Sequence, residues 1–224
     1  MFFPEFTKLD PEAATAFLEE IKKDLAPITV PADKTIVQTT TVPFYEGYQF
    51  MALSDTTLPE PNTHYIMYKP GDLTVMNWTN EPLYALNERA PIKLDRKTVV
   101  PYAKFFFHYV RGVLGRFLIV EKPEEVEWSP NANDKEKEDV NSRIVPISYK
   151  GIGRDNLYTL SAIVVFKNAL FRTDIKIAPY EMDVFDPESG EPEHFTIGQM
   201  KLTNEELLIE DLNVPIPPPP TDFG

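Results

Sequence analysis

Five basic side chains could act on one anion: Lys104, His108, Arg111, Arg116 and Arg154. Lys104, His108 and Arg111 follow one another at spacings of four and three, which sets them along one edge of a helix. Arg111 and Arg116 each touch a glycine in the segment RGVLGR, and Arg154 follows Gly153. Guanidinium forks beside glycine-exposed backbone N–H groups suit a carboxylate or a phosphate, so the five form a candidate anion site at the end of that helix. The competing assignment is structural: Arg111 and Arg116 would pair with acidic strand neighbours such as Glu121 or Asp155, and His108 would be a half-buried polar residue. His108 makes a poor general base, because Lys104 and Arg111 on the same edge disfavour its protonation.

Other chemistry finds little support. The chain has no cysteine, which removes disulfides, thiolate metal sites and a cysteine nucleophile. Three histidines, His64, His108 and His194, make a multi-histidine metal centre unexpected. There is no phosphate-binding GxxxxGK[ST], no GxSxG elbow and no HExxH helix. The GIGRDN stretch at 151–156 has two glycines of a dinucleotide fingerprint but leads into strand patterning rather than a helix. The loop from Asp186 to Glu191 lacks the alternating oxygen ligands and central glycine of a calcium loop, and reads as a hairpin turn. Glu46, Asp55 and Glu81 lie near aromatic turns with no spacing that requires a carboxylate pair. No catalytic residue, metal or cofactor is therefore expected.

The elements that must position the basic edge follow from periodicity. Val99 to Leu114 is apolar almost all round, through Tyr102, Phe105, Phe106, Tyr109 and Val110, and leaves only Lys104, His108 and Arg111 polar. Such a helix, about 98–114, is surrounded by protein. Gly112 and Gly115 are set to cap it, and Arg116 to Glu121 follows as an interior strand. Upstream, Asp10 and Pro11 open an amphipathic helix of about 11–25, with Ala14, Phe17, Leu18, Ile21 and Leu25 on one stripe. Residues 28–68 change to a period of two, and Lys69-Pro70-Gly71-Asp72 is a turn that pairs Tyr65–Tyr68 with Leu73–Trp78. Glu81 to Asn87 is compatible with a helical turn, while residues 122–141, polar and charged, read as a surface loop. Downstream, 158–167 and 170–178 form a hairpin reversing at Asn168-Ala169, and 182–185 pairs with 194–197. Thr203-Asn204-Glu205-Glu206 has capping-box form and predicts a short C-terminal helix.

These elements predict an α+β fold: a curved antiparallel sheet of about seven to ten strands packed on the central helix, with the N-terminal helix at its flank. Residues 1–212 are expected to form one domain, and 213–224, with four consecutive prolines, an extended proline-rich tail. The net charge of -13 opposes binding to nucleic acid or an anionic membrane. With no apolar leader and no 18-residue apolar run, a soluble cytoplasmic protein is expected. The functional expectation is a non-enzymatic interaction or assembly protein with a protein partner or self-association. The alternative is a protein or enzyme that binds a small anion at the basic helix edge.

Overall fold

The computed structural model describes residues 4–57, 59, 62–90, 92–112, 115–185 and 189–215. Residues 113–114 of the expected central helix, 186–188 of the calcium-like loop and 216–224 of the tail lie outside them. The class is α+β with antiparallel sheets. In place of one curved sheet, the described strands form two five-stranded sheets and a separate two-stranded hairpin. The chain divides into two compact units, Phe3–Asn77 and one containing Trp78–Gly224.

In the first unit, β1 (Thr7–Lys8), β2 (Thr35–Thr41), β3 (Gln49–Asp55), β4 (Asn62–Lys69) and β5 (Asp72–Met76) lie in sequence order as a meander. The short connections from β2 to β5 permit only antiparallel neighbours, and β1, joined to β2 by a longer segment, is antiparallel as well. The β4–β5 turn closes at Lys69 opposite Asp72, and Gly71 takes the positive φ (+81°) that the proline–glycine pair implies. Helix α1 (Pro11–Ile21) is capped by the Asp10 carboxylate, which accepts from the Ala13 N–H at 2.9 Å. It ends four residues before the expected 25, because the Asp24 and Leu25 N–H groups both bond the Ile21 carbonyl and tighten the chain into turns. Leu25 still reaches the core, where Ala14, Leu18 and Ile21 meet Val37, Met51, Leu53 and Ile66 on one sheet face.

The second unit opens with α2 (Glu81–Arg89) and α3 (Val99–Tyr109). Burial along α3 follows the predicted pattern: Tyr102, Ala103, Phe105, Phe106, Phe107 and Tyr109 are buried, and Lys104 and His108 lie on the half-exposed edge. The start is organised by Asp95 rather than by Thr98, whose side chain caps nothing; the Asp95 carboxylate accepts from the Lys97 and Thr98 N–H groups, which hold it below its ordinary range. The helix stops at Tyr109, since Val110 is already extended (φ -113°, ψ 133°). Neither glycine caps it: Gly112 and Gly115 exchange two backbone hydrogen bonds (2.9 and 3.0 Å) and close a tight loop.

That loop leads to β6 (Phe117–Ile119), which is an edge strand and not the interior strand expected. The interior of this sheet is β8 (Tyr158–Phe166), flanked by β9 (Ala169–Ile177) on one side and by β6 and β7 (Ser148–Ile152) on the other. The β8–β9 reversal is Lys167-Asn168, with Lys167 at positive φ (53°), one residue before the position expected. The chain from 122 to 141 is not a plain loop. After a 3-10 turn at Pro123–Glu125 comes α4 (Asp134–Arg143), capped by Asn133 and anchored by the fully buried Val140. Strands β10 (Met182–Phe185) and β11 (Pro192–Phe195) form the hairpin.

The predicted C-terminal helix is instead β12 (Met200–Ile209), paired with β9. Thr203 lies opposite Asp174 and Glu206 opposite Arg172, with a bulge at Asn204 (φ 53°) between them. A free edge of β9 satisfies a whole row of backbone groups, whereas a capping box satisfies two, so the ladder wins over the local helix signal.

Candidate functional site

The basic residues are separated by this architecture. Lys104 is ion-paired with Glu121, so it is a cation already neutralised. Arg154 is exposed in the β7–β8 turn, at the Tyr158 end of β8, whereas Arg116 precedes β6, which pairs at the Phe166 end. A nine-residue strand puts those ends roughly 25 Å apart, so Arg154 is not part of the group. What remains together is His108, Arg111 and Arg116.

Arg111 is not on the helix edge; it lies two residues past the last turn of α3 and is fixed in another way. Its N–H donates to the Trp78 carbonyl at 2.6 Å, and its guanidinium carbon sits 4.3 Å above the centre of the Trp78 ring. Trp78 itself has φ of 69°, a left-handed conformation that costs a bulky residue about 1–3 kcal/mol and concentrates at functional sites. The Trp78 ring packs in turn on Tyr109, with centroids 6.4 Å apart. Among the described residues nothing accepts from Nε of Arg111 or from Nε of Arg116, although both atoms are buried.

Arg116 donates from its terminal nitrogen to Nδ1 of His108 at 3.1 Å, which leaves the histidine proton on Nε2. Burial first, then Arg116 and Arg111, push the imidazole down to about 4, so His108 is neutral near pH 7 and serves as an acceptor. Burial and the nearby Arg111 also push the Arg116 guanidinium down, against the pull of Glu127 and Tyr109. Two half-buried cations thus stand close together, one of them bonded to a neutral ring, a field that favours an incoming negative charge.

The sign of the His108 shift gives a measurable consequence. A folded-state value below the ordinary 6.5 means that the unfolded chain binds the proton more readily between 6.5 and about 4, so stability falls as pH falls through that window. Discounted for partial exposure, the expected loss is about 1–2 kcal/mol between pH 7 and 4.5. Urea unfolding of wild type and His108→Gln at both pH values should show a shallower loss in the variant by that amount; identical losses would mean that His108 is not held neutral by its setting.

Arg111 forms part of the wall of a cavity of about 510 Å³ that sequence patterning gave no reason to expect. Tyr84, Phe106, Phe107, Phe117, Met200 and Leu202 supply most of the remaining wall, with Thr79, Asn80 and Glu81 on the α2 side. Its walls are pinned by a buried network. The Tyr102 hydroxyl donates to the Gly198 carbonyl (2.9 Å) and accepts from Asn87 (3.0 Å), which also donates to the Ile197 carbonyl (3.0 Å). Tyr84 accepts from the Met200 N–H at 3.2 Å, so α2, α3 and the start of β12 are held around one space. Phe106 and Phe107 could be predicted only as core, and Met200 and Leu202 fall between the expected 194–197 strand and the expected C-terminal helix, in a stretch given no element; the lone signal for Trp78 was an aromatic residue beside Asn77 and Thr79.

No group of three or more His, Asp or Glu side chains among the described residues is placed to hold a metal ion. No helix among them is long and apolar enough to cross a membrane. Compared with protein-family models, with curated proteins and with solved structures, the chain matches none.

Proposed function

We propose that the protein binds a small molecule with an apolar body and an anionic end, held in the cavity beside α3 with its anion on Arg111. One observation carries this reading: an arginine stacked on a strained tryptophan stands in the wall of an otherwise mostly apolar cavity. The planar fork of a guanidinium held in this way suits a carboxylate or similar group. The volume falls within the ~300–1,000 Å³ usual for small-molecule sites, and the lining has the usual balance of apolar surface and a few oriented polar groups. The nine-residue helix α2 directs its N-terminal end, Asn80 and Glu81, to the same wall, where its dipole adds to the attraction and the Glu81 carboxylate opposes it.

A second reading, interaction or assembly through a protein partner or self-association, is favoured by the exposure of Ile152 (59%), Tyr180 (54%) and Phe185 (67%). Light scattering over a concentration series separates the two, since the ligand reading requires no self-association.

The test is thermal unfolding with a panel of apolar monocarboxylates. A ligand at about a hundred times its dissociation constant stabilises by about 2.7 kcal/mol, which in a chain of this size raises Tm by roughly 5–10 °C. Arg111→Gln is expected to weaken binding about 10–100-fold, the value of one charge-assisted hydrogen bond, and to reduce the shift accordingly. Equal shifts in Arg111→Gln and in a control with an exposed lysine neutralised, such as Lys135→Gln, would contradict the proposal.

A further inference from the structure

Building on the reading of the cavity as an anion-anchored site, we infer that its ligand is an aromatic monocarboxylate. Four rings stand in its wall, those of Tyr84, Phe106, Phe107 and Phe117. They alternate in orientation: Tyr84 and Phe106 are nearly parallel (23°, centroids 5.6 Å apart), whereas Phe107 is turned edge-on to Phe106 (75°, 5.5 Å) and to Phe117 (70°, 6.4 Å). A wall built of four rings offers an aromatic guest ring–ring contacts, worth more than apolar area alone gives. An alkyl chain meets the same area but surrenders a rotamer at each bond it orders. Met200, unbranched and polarizable, suits the remaining wall to a ring edge.

The charge of the guest follows from the groups around Arg111. Stacking on Trp78 and the 2.6 Å backbone hydrogen bond hold the guanidinium as a pre-set fork, the geometry that matches a carboxylate. A neutral guest brings no charge to meet the Arg111 guanidinium, so it forgoes the charge-assisted bond that a carboxylate makes. A dianion adds a charge that meets Glu81 in the same wall. The group recognised is therefore an aryl body bearing one carboxylate, which can come from a free acid or from the aromatic C-terminus of a polypeptide.

The experiment is calorimetric titration of the full chain at pH 7 and fixed ionic strength with 2-naphthoate, octanoate, 2-naphthamide, 2-naphthyl phosphate and acetyl-Gly-Gly-Phe, repeated on Arg111→Gln. The expected result is that 2-naphthoate binds about tenfold or more tighter than octanoate, the amide and the phosphate, and loses about tenfold or more in the variant. If acetyl-Gly-Gly-Phe matches 2-naphthoate, the inference holds and the source is a chain terminus; if it does not bind, the inference holds for a free acid. Octanoate binding as tightly as 2-naphthoate overturns the aromatic preference while leaving the anion-anchored cavity standing, and tighter binding of the phosphate overturns the single charge. Failure of all five to bind overturns the underlying reading and this inference with it.

Discussion

Gly198→Ala is expected to destabilise the unit containing the cavity by about 3 kcal/mol or more. Gly198 has φ of +76°, and a Cβ built there would lie 2.5 Å from Nδ2 of Asn87 and 2.7 Å from the Tyr102 hydroxyl. Both neighbours are buried and engaged, Asn87 at 1% exposure and Tyr102 at 0%, so neither can move aside without breaking the hydrogen bonds to the Ile197 and Gly198 carbonyls. Gly190 supplies the control. It has the same φ of +76° but nothing within 4 Å of the added Cβ, so Gly190→Ala carries only the backbone term, about 1 kcal/mol. In a chain of this length the two variants should separate by roughly 4–8 °C in Tm. Equal melting shifts would show that the Asn87–Tyr102–Gly198 network does not fix the position of α2 and α3.

Val140→Asp is expected to undock α4 at a cost of about 3–5 kcal/mol. Val140 is the one buried residue of a ten-residue helix, and it packs with Val120, Val126, Ile163, Val165, Leu170 and Leu212. A carboxylate there has no cationic partner among these neighbours. The consequence reaches beyond the helix, because Glu136 accepts from both the backbone and side-chain nitrogens of Asn213 (2.7 and 2.8 Å), and Ser129 donates to the Asn213 carbonyl (2.8 Å). Hydrogen exchange should therefore lose protection at 134–143 and at Ser129 and Asn213 together, while α3 and the β8–β9 pair remain protected. Loss confined to α4 would mean that the segment at 212–214 is held independently of it.

These effects also show why some of the fold was legible in the sequence and some was not. Elements whose own residues determine them were read correctly: the Asp10-capped stripe of α1, the Pro70-Gly71 turn, and the α3 face on which the polar Lys104 and His108 are half-exposed. Elements determined by a distant partner were not. β12 carries a local helix signal but faces an open edge of β9, and α4 has a single apolar anchor, too few for periodicity, although Asn133 followed by Glu136 was an available start signal. The candidate site divided in the same way. Spacing brought His108, Arg111 and Arg116 to attention, and they do lie together; it could not show that Lys104 is paired with Glu121, that Arg154 is at the far end of β8, or that Trp78 carries Arg111 into the wall of a cavity.

The central claim is that Arg111 holds the anionic end of a ligand inside that cavity. It is tested most directly by following the arginine Nε–H resonances of the 15N-labelled protein during titration with 2-naphthoate, the Arg111 signal being identified by its absence in Arg111→Gln. The account predicts a saturable shift of the Arg111 Nε–H, accompanied by shifts of the Tyr84, Phe106 and Phe117 backbone amides, with the exposed Arg154 unmoved. Saturable binding that leaves the Arg111 resonance in place, or that moves Arg154 instead, would contradict it.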